Sequence, residues 1–322
     1  MIFLKIIVLD GYTLNPGDLS WSGFEELGEF ICYDRTLEDE VFERIKDADI
    51  IITNKTPIRK EILKKLAKCK YIGVLATGYD VIDQDYAKGL NIIVTNVPTY
   101  GTTSVAQHVF ALVLELCNNV KSHSDSVKNL EWANQSDFCF TNSQLIELSG
   151  KTIGIIGFGR IGYEVSKIAM AFNMKVIAYN RGKKKECDIK NLKWVELEEL
   201  FKNSDVISLH CPLTKETEEI INIGNLRKMK KSAFLINTSR GKLINEEDLK
   251  LALEEKIISG AALDVLRVEP PKEYNPLYIL ENCIITPHIA WATKEARIRL
   301  MQIAVENLKS FIDGNPINVV NS

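Results

Sequence analysis

The chain has 322 residues, 46% of them apolar and 26% charged, with a net charge of −3. That length points to about two globular domains, and the balance excludes a disordered or low-complexity chain. It also gives no electrostatic case for nucleic acid or an anionic membrane, and no window reaches the roughly 18 apolar residues of a spanning helix.

Taken in chain order, the N-terminal run MIFLKIIVLDGY lacks a basic stretch before its apolar residues, and Asp10 interrupts it early. It reads as a strand rather than a signal peptide. Strand-like runs at 3–10, 49–53, 70–76 and 91–95 alternate with helical patterns. One such helix is expected over 37–48, where Val41, Phe42 and Ile45 share a face. Alternation of this kind implies a parallel sheet. Residues 102–120 read as one long, mostly apolar helix crossing to a second half. Residues 121–148 read as polar and irregular, with Trp132, Phe138 and Phe140 scattered through them. Aromatics in a projecting segment need cover, from a partner subunit or from the chain itself.

A second α/β series begins at Lys151, with strands expected near 152–159, 175–180, 205–212, 233–239, 259–265 and 283–288. Asn245 followed by Glu246, Glu247 and Asp248 marks the start of a helix over 246–256, with acids over the positive end of its dipole. Residues 293–314 read as an amphipathic helix closed by Gly314 and returning to the first domain. The seven cysteines, at 32, 69, 117, 139, 187, 211 and 283, are odd in number and form no CxxC pair. Zinc spacings are absent, so no metal is expected, and reduced thiols in a cytoplasmic protein are the simplest reading.

GFGRIG, Gly157 to Gly162, matches the dinucleotide pattern in its proper context, between the strand TIGII and a helix. Gly157 permits the tight turn, Gly159 lets backbone approach a pyrophosphate, and Gly162 lets helix and strand pack closely. The helix N-terminus then offers unpaired N–H groups to the phosphates. The next strand should end in an acid to hold a ribose 2′-hydroxyl. Here it ends in Asn180, then Arg181 and Lys183–Lys185. Asparagine can bond a hydroxyl without repelling a phosphate, and Arg181 could pair with one, so NAD and NADP both stand as cofactors.

Ligands in open α/β sheets bind beyond the carboxyl ends of the strands. Three ionisable residues follow strand-like runs there: Arg240 beside Gly241, Glu269 beside Pro270, and His288 beside Pro287. Hydride transfer to a carbonyl leaves charge on oxygen, and histidine can supply the proton near neutral pH. A neighbouring carboxylate fixes the ring and favours the imidazolium. Arginine grips a substrate carboxylate with two parallel bonds and can polarise the carbonyl. Cys211 and Cys283 also sit near strand ends, but neither has a base evident in the sequence, so inert thiols are expected.

ATGYDVID (76–83), SVAQHVFALVLEL (104–116), GKTIGIIGFGRIG (150–162), INTSRGKLINEEDL (236–249), ALDVLRVEP (262–270) and TPHIAWAT (286–293) together resemble the D-isomer-specific 2-hydroxyacid dehydrogenase family. The N-terminal VLDGYTLNPGDLSW and the SVAQH helix are most similar to its glycerate dehydrogenase (hydroxypyruvate reductase) branch. The resemblance spans nearly the whole chain. It implies two doubly wound parallel-sheet α/β domains. A flavodoxin-like substrate domain would cover 1–100 and 292–322, and a Rossmann cofactor domain 101–291, with a cleft that closes on substrate.

The resemblance also implies roles. His288 would be the acid/base, Glu269 its carboxylate partner and Arg240 the substrate-binding cation. Thr77 and Gly78 would hold the substrate carboxylate by their backbone, and Trp291 could close the pocket. Arg160 and Ile161 would meet the pyrophosphate. Cys211, Pro212, Thr238 and Asp264 would line the path from adenosine ribose to nicotinamide, with Thr77 and His288 also touching the cofactor. Asn180 departs from the acid usual in NAD-using members. Hydroxypyruvate/D-glycerate is the expected substrate pair and a homodimer through 102–148 the expected assembly. A glyoxylate reductase or D-lactate-type dehydrogenase is the alternative of the same chemistry. A non-catalytic dinucleotide-sensing co-repressor of this fold is the alternative of another class, disfavoured by the presence of all three ionisable residues.

Overall fold

The computed structural model describes residues 4–182, 189 and 192–322, so Lys183–Lys185 lie outside the described residues. The chain divides into two compact units, one formed by Met1–Gly101 with Ala292–Ser322 and the other by Thr102–Trp291.

In the first unit β1 (Lys5–Val8), β2 (Glu29–Cys32), β3 (Ile50–Thr53), β4 (Tyr71–Val74) and β5 (Ile93–Thr95) form one sheet in the order β2-β1-β3-β4-β5. Every pairing is parallel. This is the flavodoxin-like order. Its strands are near-continuous apolar runs because a parallel sheet is covered on both faces. Ile7, Ile51, Ile72 and Val94 pack on one side with Val41 and Ile45. The helix expected over 37–48 is shorter: a 3-10 turn at Glu38–Glu40 leads into a helix at Val41–Ile45. Strand β2 was not expected: its apolar run is short, and as an edge strand it is only half-buried. The terminal helix Lys294–Ile312 is capped by Thr293, whose side chain accepts from Ala296 N–H, and ends before Gly314 at φ 80°. It lies over β4, with Phe311 and Tyr71 ring centroids 4.8 Å apart. Arg297 on the same helix pairs with both oxygens of Asp18 at 2.6 and 2.7 Å.

The second unit contains β6 (Thr152–Ile156), β7 (Lys175–Tyr179), β8 (Lys193–Trp194), β9 (Val206–Leu209), β10 (Phe234–Asn237), β11 (Gly260–Leu263) and β12 (Cys283–Ile285). Their order is β12-β11-β10-β9-β6-β7-β8, all parallel. Counted from β6, this is the Rossmann order with one further strand. Side chains alternate faces along each strand. Ile153, Ile155, Phe234, Ile236 and Ala262 pack toward the helix Thr102–Asn118. Ile156, Ile207, Leu235, Ala261 and Leu263 pack toward the helices Leu197–Asn203 and Glu246–Glu254. Asn245 caps the latter by accepting from Asp248 N–H.

The long helix is not continuous to residue 120. It ends at Asn118, Asn119 adopts φ 46° and ψ 47°, and a second helix runs over Val120–Lys128. Asparagine visits the left-handed region more readily than most residues, so the break falls where the chain tolerates it. The irregular segment therefore begins after 128 rather than at 121. Strand β8, only two residues long, was also unanticipated.

Candidate active site

The glycine turn has the geometry its spacing requires. Gly157 has φ 95°, and a Cβ there would overlap the backbone of His210 and Cys211. Gly162 lies so close to Gly157 O and the Ile155 side chain that a Cβ would sit 2.8 and 3.0 Å from them. The helix Arg160–Ala171 starts immediately after Gly159, where a Cβ would meet nothing. Open space over the second glycine, against tight packing at the first and third, is what a phosphate-binding turn needs. Beyond β10, Thr238 Oγ1 is buried and has no hydrogen-bond partner. Such an orphan polar atom suits a ligand group. Both observations fit a dinucleotide.

At the end of β7 the Asn180 side chain turns inward. Its Oδ1 accepts from Phe158 N–H at 2.7 Å and its Nδ2 donates to Phe158 O at 3.3 Å. It thus braces the glycine turn. Arg181 forms an exposed ion pair with Glu216 at 2.7 Å. Glu216 is held down at about 2, first by the Thr214 hydroxyl and then by Arg181. Cys211 is buried and its thiol is pushed up to about 11 by that burial, which leaves it protonated and unreactive. Burial pushes the His210 imidazole down to about 3, with Nε2 2.8 Å from Ser208 Oγ.

The three ionisable strand-end residues occupy adjoining turns. Glu269 Oε2 is 2.5 Å from His288 Nδ1, while its Oε1 accepts from Leu266 N–H at 2.8 Å. The carboxylate is therefore oriented by backbone on one oxygen and orients the imidazole with the other. Gly241, next to Arg240, lies against the Leu266 backbone so closely that a Cβ would overlap it. That contact sets the Arg240 turn against the turn leading to Glu269. Arg240 is exposed, and its guanidinium donates to Ser239 O at 2.8 Å.

His288 itself has φ 55°, a left-handed value that a side chain rarely adopts. The buried Asp264 holds the residues around it. Oδ1 accepts from Thr286 Oγ1 at 2.6 Å and from Ile289 N–H at 2.9 Å, and Oδ2 accepts from Ala290 N–H at 2.8 Å. From the long helix, Ser104 Oγ donates to Ala290 O at 2.6 Å, and His108 Nε2 lies 3.1 Å from Thr286 Oγ1. The sequence reading missed Ser104, His108 and Thr286. The available signal was two polar residues one helical turn apart on an otherwise apolar face. Of the other residues singled out, Trp291 follows the loop and is half-buried, whereas Pro212 is exposed. Arg160 and Ile161 open the helix after the glycine turn. Thr77 and Gly78 belong to the first unit, where Thr77 Oγ1 donates to Val97 O at 2.9 Å and Thr77 O accepts from Asn96 Nδ2 at 2.8 Å.

These features define a dinucleotide-binding α/β protein with a histidine–carboxylate pair beyond its strands. Residues 110–290 match the D-isomer specific 2-hydroxyacid dehydrogenase, NAD binding domain. The chain is 54% identical to hydroxypyruvate reductase of Blautia hydrogenotrophica, over 99% of this chain and 100% of that one. It is 39% identical to glycerate dehydrogenase of Methylorubrum extorquens, over 99% of each. Among solved structures, an acyclic imino acid reductase in complex with NADPH and D-Arg is similar at a TM-score of 0.85 and 36% identity, covering 98% of this chain and 100% of that one. D-Lactate dehydrogenase from Aquifex aeolicus, complexed with NAD and lactic acid, is similar at a TM-score of 0.81 and 33% identity over 99% of each chain. The chain belongs to the D-isomer specific 2-hydroxyacid dehydrogenase family.

Proposed function

We propose that this enzyme interconverts hydroxypyruvate and D-glycerate, with His288 as acid/base. The hydrogen bond between His288 and Glu269, on adjoining strand ends of the sheet that carries the glycine turn, is the observation that carries the reading. When bound, a nicotinamide dinucleotide supplies the hydride to the carbonyl carbon. Nδ1 of His288 is committed to Glu269, so Nε2 is the nitrogen that gives its proton to the carbonyl oxygen. Glu269 offsets the charge of the imidazolium before that transfer and keeps the ring in place after it. Arg240 binds the substrate carboxylate, and the permanent charge of its guanidinium also stabilises the developing alkoxide. Gly157, Gly159, Arg160, Ile161 and Gly162 would hold the pyrophosphate. Cys211, Pro212, Thr238 and Asp264 would line the remainder of the cofactor path, with Thr238 Oγ1 supplying a bond to it. The roles of Thr77, Gly78 and Trp291 at the substrate rest on the family resemblance.

Either NAD or NADP serves in this reading. Asn180 presents no repelling charge to a 2′-phosphate, and Arg181 must exchange Glu216 for one. Trp132, Phe138 and Leu130 are exposed, Phe138 to 91%, and we take a second copy of the chain to cover them in a cytoplasmic homodimer. Light scattering of the purified protein at the dimer mass supports that assembly; a monomer at micromolar concentration contradicts it.

The test is steady-state reduction of hydroxypyruvate, glyoxylate and pyruvate with NADH and NADPH in parallel. Hydroxypyruvate is expected to give the highest kcat/KM. A wide preference for pyruvate would overturn the glycerate assignment, and no turnover of any of the three would revive a sensor role.

A further inference from the structure

The geometry points to His108 as a positioning residue for His288, acting through Thr286 and Asp264; this rests on the reading of His288 as the acid/base. The bonding roles follow from counting protons. A threonine hydroxyl has one hydrogen, and the 2.6 Å bond that Thr286 Oγ1 donates to Asp264 Oδ1 takes it. Thr286 Oγ1 can then only accept from His108 Nε2, 3.1 Å away, which fixes the proton of His108 on Nε2. The chain of donors runs from His108 Nε2–H to the Thr286 hydroxyl to the Asp264 carboxylate. That carboxylate also takes the amides of Ile289 and Ala290, the two residues directly after His288.

The arrangement has a purpose that packing alone does not explain. His288 is held at φ 55°, a conformation costing of order 1–3 kcal/mol that persists only where its surroundings over-determine it. Asp264 is 1% exposed, and its two oxygens grip the loop on both sides of His288, at Thr286 and at 289–290. The helix Thr102–Asn118 adds two fixed points one turn apart: Ser104 on Ala290 O and His108 on Thr286 Oγ1. His108 Nε2 also lies 3.5 Å from Asp264 Oδ1, so the imidazole sits against the carboxylate that it supports through the hydroxyl. A buried carboxylate with a partner removed relaxes its remaining bonds, and the loop carrying the imidazole relaxes with it.

The experiment compares His108→Phe, which removes the donor, with His108→Gln, whose amide nitrogen keeps one near the Nε2 position. Two readouts are used: kcat and KM for hydroxypyruvate reduction, and hydrogen exchange at the Ile289 and Ala290 amides. His108→Phe is expected to lower kcat between about 10-fold and 100-fold, the range for a misplaced reacting group. KM for the dinucleotide should change less than kcat, because the glycine turn and its pyrophosphate contacts are untouched. Both amides should exchange faster. His108→Gln should restore exchange and bring kcat to within about threefold of the parent. Parental kcat and exchange in folded His108→Phe overturn the inference, as does a His108→Gln variant as impaired as His108→Phe. Should His108→Phe fail to fold, Thr286→Val removes the relaying hydroxyl at constant shape and must reproduce the kcat loss; parental kcat there is equally fatal. In the double variant the loss should be no larger than in either single one, and multiplied losses would show two independent effects. Amide exchange needs no turnover, so it decides the positioning role even if His288→Gln disproves the proton-transfer reading.

Discussion

Each unit of the molecule uses a buried aspartate at the carboxyl end of a strand to hold a loop that follows another strand. In the first unit Asp10, after β1, accepts from Asn54, Lys55 and Thr56 N–H at 2.7, 2.6 and 2.7 Å. In the second, Asp264, after β11, accepts from two amides and a threonine hydroxyl. The device is the same: a buried carboxyl group whose oxygens accept from three donors on a neighbouring loop. The difference lies in what is attached. The Asp10 loop stabilises the end of a sheet. The Asp264 loop carries a left-handed histidine, a second carboxylate at Glu269 and a helix-borne histidine at His108. Around His288, side-chain restraints are added to an ordinary strand-end clamp.

Truncating the two aspartates should separate these uses. Asp264→Ala and Asp10→Ala each strand three donors, at about 1–3 kcal/mol apiece. Melting temperatures should fall by roughly 6–12 °C or more in both, at roughly 2–4 °C per kcal/mol. Only Asp264→Ala should also lower kcat strongly, by about 100-fold, at a temperature where both variants remain folded. Equal kcat losses would remove the distinction between the two clamps. Next in size is Gly157→Ala, which forces a left-handed alanine and an overlap with the Cys211 backbone. Dinucleotide Kd, read by quenching of protein fluorescence, should rise at least about 10-fold, with the melting temperature lowered as well. Tight binding by this variant would argue against the glycine turn as the phosphate site.

A smaller effect concerns His210, pushed down to about 3 from an ordinary 6.5. The unfolded chain binds a proton there between those values and the folded chain does not, so stability must fall as pH drops below 6.5. The slope from this group is on the order of 1 kcal/mol per pH unit. Denaturation midpoints at pH 7 and pH 5 should therefore differ less in His210→Gln than in the parent, and identical differences would contradict the assignment. Smallest is Arg181→Ala, which should raise KM for NADPH more than for NADH. Equal changes would count against any part for Arg181 in choosing the cofactor.

Much of this was legible in the sequence where the signal is local. The glycine turn announces itself by spacing, and Arg240, Glu269 and His288 by standing after strand-like runs beside a glycine or a proline. Buried parallel strands such as IIIT and FLIN read clearly because both faces are covered. The edge strands β2 and β8 did not, since four and two residues are too short a run to stand out at a half-exposed edge. The break at Asn119 was hidden inside an apolar helix because one asparagine in the left-handed region leaves almost no trace in composition. The restraints on His288 were hidden for another reason: His108 and Thr286 are 178 residues apart, and only the folded sheet brings that pair together.

If the imidazole of His288 hands a proton to the substrate while Glu269 holds it, His288→Gln must remove that step. With dinucleotide binding by the variant confirmed by fluorescence titration, kcat for hydroxypyruvate reduction should fall by about 10²–10⁴-fold, the usual contribution of a positioned acid. A variant that binds the dinucleotide and turns over at the parental rate would contradict it.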